Sequence, residues 1–210
     1  MRFNSGGLLT SAVDIADKFI EEGLIVSTRP RYWVSTSYTL AHKKATHPDY
    51  PIIVLVNRQS ASASEIVAGA LADPRHKRAI LVGERTHGKG SVQGITAHPG
   101  AGAQLKYTMA YYYLPSGQRV ESRDAVKKEG RKNWGVAPNI KVKLRSDELK
   151  KMLEVQRDND VLVKADHDND RAPLKKHTSA ETLAADTQLA IGILIIRSKL
   201  VQAESTEIKG

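Results

Sequence analysis

A chain of 210 residues with a formal charge of +9, 40% apolar and 26% charged, has the length of one buried domain plus a tail and an ordinary globular composition. Cysteine is absent, which excludes disulfides, thiolate metal sites and cysteine nucleophiles. The basic residues are scattered from Arg29 to Lys209, so the charge does not point to nucleic acid, and the longest apolar run, Leu189 to Ile196, is far short of the ~20 residues of a membrane helix.

The opening Met-Arg-Phe-Asn-Ser-Gly-Gly lacks the apolar stretch of a secretory signal. Residues 9–22 place Leu9, Ala12, Val13, Ala16, Phe19 and Ile20 at helical spacing, with Ser11 and Asp14 resembling a capping box and Gly23 suited to the C′ position. Leu24 to Thr28 predicts a short strand, and Arg29 to Tyr50, broken by Pro30 and Pro48, a loop with an edge strand. Pro51 to Val56 and Ala79 to Gly83 are continuous aliphatic runs of the kind covered on both faces of a sheet. The helix predicted between them, over Glu65 to Ala72, has the length of a βαβ crossover and favours a parallel α/β sheet.

Val92 to Ala97 and Gln104 to Tyr113 predict an antiparallel hairpin turning at His98 to Gly102, with alternate rings of Tyr111-Tyr-Tyr113 buried. Val136 to Leu144 predicts a further short strand after a basic, solvated loop around Lys127 to Lys132. Residues 147–157 and 186–200 have helical patterns, separated by a polar linker from Lys164 to Ala180.

Two segments carry candidate chemistry. Asn57-Arg-Gln-Ser60-Ala61-Ser62-Ala63-Ser64-Glu65 sets three serines between a buried strand and a helix, where a hydroxyl can be exposed and free helix-start amides can face an oxyanion. The bland alternative is that these serines only cap the helix and fill a bend. The second segment is Gly83-Glu-Arg-Thr86-His87-Gly88-Lys89-Gly90-Ser-Val-Gln93. A lysine between two glycines can be held close to a neighbouring backbone, and one that is desolvated there becomes neutral and can take a serine proton. A rival reading takes Gly83 to Lys89 as the start of a phosphate-binding P-loop. Gly90 in place of Ser or Thr, and a following strand rather than a helix, count against it.

Together these segments resemble the C-terminal processing peptidases, or tail-specific proteases. Ser60 to Glu65, Asp73, Arg78-Ala79 and Gly83 to Gln93 follow that family's order, preceded by Asn4-Ser5-Gly6-Gly7 and followed by Tyr113-Leu-Pro-Ser-Gly117 and Gly135-Val-Ala-Pro138. The resemblance implies a crotonase-like/ClpP-like α/β core with a mostly parallel buried sheet, flanking helices and an antiparallel hairpin. It implies Ser62 as nucleophile, Lys89 as base and Gln93 orienting the lysine. Ala63, with Gly6 or Gly7, would supply the oxyanion hole. No cofactor or metal is implied. The expected substrates are polypeptides with unstructured C-terminal tails, and the family's usual location is periplasmic or otherwise extracytoplasmic.

The resemblance covers residues 1–144, read as a peptidase core lacking its N-terminal part and PDZ domain, with 145–210 as a helical extension. Beginning inside the family's first strand is expected to leave the glycines at 6 and 7 loosely held. Ser5 stands for the family's Pro and His87 for its Phe, and the stretch between Asp73 and Arg78 is longer than the family pattern. His42, His47, His167 and His177 have no metal-ligand spacing. Three readings stay open: a Ser/Lys endopeptidase; an inactive remnant or split subunit completed by a homo-oligomer or a PDZ-bearing segment; and a nucleotide-binding domain.

Overall fold

The computed structural model describes residues 1–31, 35–97, 102–160 and 176–207. All but Gly102 of the expected turn at His98 to Gly102, most of the linker and His167 therefore fall outside the described residues. In chain order the elements are α1 (Leu9–Asp17), β1 (Leu24–Pro30), β2 (Ser37–Leu40), β3 (Ile53–Val56), α2 (Ala63–Ala72), β4 (Ile80–Gly83), β5 (Ser91–Ala97), β6 (Gln104–Tyr113), α3 (Arg123–Lys128), β7 (Ile140–Lys141), α4 (Ser146–Asp160), α5 (Ser179–Ala185) and α6 (Thr187–Glu207). The chain divides into two compact units, Met1–Lys141 and Val142–Gly210.

The first unit carries two sheets. The aliphatic runs pair in parallel, Ile53 with Ile80 through Val56 with Gly83, and β7 joins the far side of β4. Helix α2 is the crossover between them. It is buried along almost its whole length, from Ala63 to Leu71, which small side chains permit. A Cβ on its Gly69 would lie 2.5 Å from the side chain of Leu114. The expected hairpin forms between β5 and β6 and is extended by β1 and β2 into a four-stranded antiparallel sheet ordered β2-β1-β6-β5. One apolar core joins Ala12, Ala16 and Ile20 to Ile25, Val56, Ile66, Leu71, Leu81 and Tyr112.

Several boundaries differ from those the sequence predicts. Helix α1 ends at Asp17 rather than residue 22, and Leu8 rather than Ser11 takes its N-cap position without a side-chain acceptor. Tertiary ties set that start: Asn4, just upstream, accepts the amide of Ala61. Residues 123–128 form a short helix that the sequence does not predict, capped by Ser122 Oγ on the Ala125 amide at 3.2 Å; it takes in only the first two residues of the loop predicted over Lys127 to Lys132. The strand predicted over Val136 to Leu144 reduces to two residues.

The second unit contains α4, α5 and α6. Asn159 Nδ2 donates to Thr182 Oγ1 at 3.1 Å, and Gln188 Nε2 donates to the Val142 carbonyl at 2.7 Å. Among the described residues no single helix is long and apolar enough to cross a membrane.

Candidate active site

The turn that leaves β3 runs from Asn57 to Ser62 and delivers the chain into α2. Ser62 sits at the junction with φ +56° and ψ −121°, a conformation that costs a non-glycine residue about 1–3 kcal/mol and needs its surroundings to hold it. The three serines divide by environment. Ser60 and Ser64 are buried, and their hydroxyls donate to the carbonyls of Met1 at 2.9 Å and Asn4 at 3.0 Å. Ser62 is only half-buried. The outer pair thus fix the N-terminal segment to the turn, while the middle serine is the one that stays partly exposed.

That segment is further secured by the Ala61 amide on the Asn4 carbonyl at 3.0 Å and the Phe3 amide on Asn57 Oδ1 at 3.1 Å. Gly6, at φ +105°, lies directly against the Ser62 turn: a Cβ there would sit 2.8 Å from both the Ala61 carbonyl and Ser62 Cβ. Its amide donates to Asn4 Oδ1 at 2.9 Å. Gly7, exposed and with open space around it, and Ala63, first residue of α2, have amides with no acceptor among the described residues. Two consequences follow for substitution. Gly6→Ala is expected to lower stability by about 1–3 kcal/mol in urea denaturation, and Gly7→Ala to leave it nearly unchanged.

The Lys89 segment reaches the same turn through Glu65. This carboxylate is fully buried and accepts four hydrogen bonds. Its Oε1 takes the Thr86 hydroxyl at 2.5 Å and the Gly88 amide at 2.7 Å; its Oε2 takes the Ser62 amide at 2.9 Å and the Lys89 amide at 2.8 Å. Thr86 Oγ1 in turn accepts the Val136 amide at 2.7 Å. One oxygen atom therefore binds the main chain of both the candidate nucleophile and the candidate base. Gly88 and Gly90 press on the Val120–Glu121 segment, where a Cβ would lie 2.0 Å from the Glu121 carbonyl and 1.7 Å from the Val120 carbonyl.

The side chains are placed less tightly than the backbone. Lys89 is exposed, so the desolvation expected of it is missing in this conformation, and no hydrogen bond joins it to Ser62. Gln93 is also exposed, on β5 where the pairing with β6 slips between Val92 and Gln93. His87 is exposed, with its amide on the Ser60 carbonyl at 2.9 Å. Beside this segment the Arg85 guanidinium donates to the Trp134 carbonyl at 2.5 Å and lies 4.7 Å from the Trp134 ring centre; burial holds its pKa below the usual arginine value.

Among the described residues no three potential ligands gather into a metal site. His42 pairs with Asp17, His47 stacks on Phe19 with ring centres 5.2 Å apart, and His177 approaches Asp158 at 3.3 Å. Asp73 is buried and binds the Ser116 amide at 2.9 Å, tying α2 to the Pro115-Ser-Gly117 turn, which is too remote in sequence for a local pattern to reveal. The same holds for Glu65, whose Thr86, Gly88 and Lys89 donors lie more than 20 residues away, and for Tyr112, which the sequence predicts only as one ring of a strand.

Residues 1–142 match peptidase family S41. The chain belongs to that family. Within S41, the carboxy-terminal-processing protease of Bartonella bacilliformis is 47% identical over 121 residues, covering 58% of this chain and 27% of that protein. Carboxyl-terminal-processing peptidase 3 of Arabidopsis thaliana, chloroplastic, is 42% identical over 141 residues, covering 67% of this chain and 24% of that one. A solved photosystem II D1 C-terminal processing protease shares the fold, with a TM-score of 0.57 and 31% identity over 68% of this chain and 33% of that structure. The chain thus spans about a quarter of the length of the curated relatives it matches. Its mixed parallel and antiparallel sheets are those of an S41 α/β core.

Proposed function

We propose that this chain carries the catalytic centre of a serine endopeptidase of the Ser/Lys type, which cleaves polypeptides near unstructured C-terminal tails. The observation that carries the reading is the Glu65 carboxylate, which accepts the amides of Ser62 and Lys89 on one oxygen. In this mechanism the neutral amine of Lys89 removes the Ser62 Oγ proton as Oγ attacks the scissile carbonyl. The oxyanion is received by the amides of Ala63 and Gly7, with Gly6 holding the wall against Ser62. Collapse expels the amine, which takes the proton from Lys89 and leaves an acyl group on Ser62. Water then attacks the ester, its proton passing to Lys89 and on to the Ser62 oxygen as the acid departs. Gln93 orients the lysine amine.

A lysine serves as a base only when neutral, a state that desolvation favours. Lys89 is exposed in the free chain, so a polypeptide laid across it is the group that would cover it. An extracytoplasmic setting such as the periplasm belongs to the same proposed reading; the names of the matched relatives say only that one is bacterial and one chloroplastic.

The test is hydrolysis of an unstructured protein with an apolar C-terminus, with products read by mass. Ser62→Ala and Lys89→Ala are each expected to abolish turnover while circular dichroism stays unchanged, and the parent rate should climb with pH. Alanine variants that cleave at the parent rate would refute the assignment. The exposure of Lys89 and Gln93 favours a second reading, in which another copy or a PDZ-bearing segment completes the site. Turnover by the monomeric chain decides against that reading; turnover that appears only as light scattering reports self-association decides for it.

A further inference from the structure

Tyr112 is the central residue of the Tyr111-Tyr-Tyr113 run, and its ring is 2% exposed. The two neighbouring rings lie outward under guanidinium groups: Arg119 is 3.7 Å from the Tyr111 ring centre and Arg29 is 4.0 Å from that of Tyr113. Strand β6 has a partner on each side, with Thr28 opposite Tyr112 and Ser91 opposite Tyr111, so the ring hangs from an inner strand.

The hydroxyl at its tip donates to the Lys89 carbonyl and has the Ser62 carbonyl as a second acceptor at 3.2 Å. Its main-chain amide donates to the Gly90 carbonyl at 3.0 Å. Glu65 meets the same two residues through their amides. Ser62 and Lys89 therefore each meet one buried carboxylate at N–H and one buried phenol at C=O, the Ser62 carbonyl also accepting the Glu65 and Ile66 amides of the first turn of α2 at 2.8 and 3.1 Å. A residue held at both ends cannot rotate about φ and ψ without breaking one of those bonds. That explains how Ser62 keeps a left-handed φ of +56° against its intrinsic preference.

Resting on the peptidase reading above, we propose that Tyr112 is a positioning residue, whose hydroxyl sets the spacing of the Ser62 and Lys89 main chains and so the reach of the base to the nucleophile. Burial, together with the nearby Glu65 charge, raises the phenol pKa well above its usual value. The hydroxyl therefore keeps its proton, and its grip, across the working pH range. It touches no reacting atom; it acts through the backbone of the two residues that do.

The experiment compares the full chain with Tyr112→Phe, which keeps the ring and removes the one oxygen, and with Val126→Ala, which truncates a buried side chain on α3. Amide hydrogen exchange is read over residues 60–66 and 86–91, alongside kcat and KM on the unstructured protein. For Tyr112→Phe the expected result is faster exchange in both segments, little change elsewhere, and a fall in kcat of about tenfold to a hundredfold with KM within about twofold. Val126→Ala is expected to leave exchange in those two segments and kcat near the parent. Parent-like exchange in Tyr112→Phe would overturn the inference, as would an equal kcat loss in Val126→Ala. A parent chain without turnover would count against the peptidase reading, while the exchange comparison would still decide whether the phenol holds the two segments together.

Discussion

Glu65→Ala is expected to lose most of the stability of the first unit together with all turnover. Four donors converge on this fully buried carboxylate. Water can reach the amides of Ser62 and Lys89, but the Thr86 hydroxyl and Gly88 amide lie in buried bonds and would be left without an acceptor. An orphaned buried donor costs about 1–3 kcal/mol, so these two alone cost about 2–6 kcal/mol before the cavity is counted. Whole domains are stable by only about 5–15 kcal/mol. Glu65→Gln tests the mechanism more finely. It keeps the volume and one acceptor oxygen, but turns an NH₂ group toward two of the four donors. Urea midpoints should therefore fall in the order parent, Gln variant, Ala variant. An alanine variant within about 1 kcal/mol of the parent would show that the carboxylate holds nothing together.

Gly90→Ala and Gly88→Ala are expected to disable the site with less damage to the fold. Their added methyl groups would meet backbone carbonyls at 1.7 Å and 2.0 Å, where a carbon and an oxygen need about 3.3 Å. Gly88 also carries a φ of +91°, which an alanine adopts only under strain. Neither obstacle can swing aside as a long side chain can, so the Lys89 segment itself must move by more than an ångström. Displacements of that size cost about a hundredfold in rate, and overpacking costs about 1–3 kcal/mol in stability. Gly117→Ala is the matched control: its φ is +87°, but nothing lies within 4 Å of the added carbon. It should show mild destabilisation and parent turnover. If Gly90→Ala cleaves as fast as Gly117→Ala, the position of this backbone does not govern the reaction.

How much of this was legible beforehand depends on the range of the interaction. The strands at Pro51–Val56 and Ala79–Gly83, and the helix between them, follow from local patterns of aliphatic and small residues, and β3, α2 and β4 form there. Helix α1 starts at Leu9 as its apolar spacing predicts but ends five residues early, at Asp17, and its N-cap is Leu8 rather than Ser11. The short helix at Arg123–Lys128, just before the predicted loop and overlapping it at Lys127 and Lys128, is missed because six mostly charged residues carry no apolar stripe to reveal it. The bonds that stitch Met1, Phe3 and Asn4 to the Asn57–Ser64 turn were equally out of reach of local patterns, because their partners are more than 50 residues apart in the chain.

Composition and motif order by themselves determined that the chain folds as an α/β domain, that it contains the paired segments around Ser62 and Lys89, and that its resemblance is to processing peptidases. These are properties of local chemistry: aliphatic runs make buried strands, and small residues permit a tight turn into a helix. Only the tertiary structure decided which of the three serines stays partly exposed, and that Glu65 and Tyr112 both hydrogen-bond to the main chains of Ser62 and Lys89. It also decided that the Lys89 side chain stands in solvent. The physical reason is the same for each. Burial and long-range hydrogen bonds depend on which distant residues meet, and a carboxylate at the start of one helix looks the same in sequence whether it faces water or four donors.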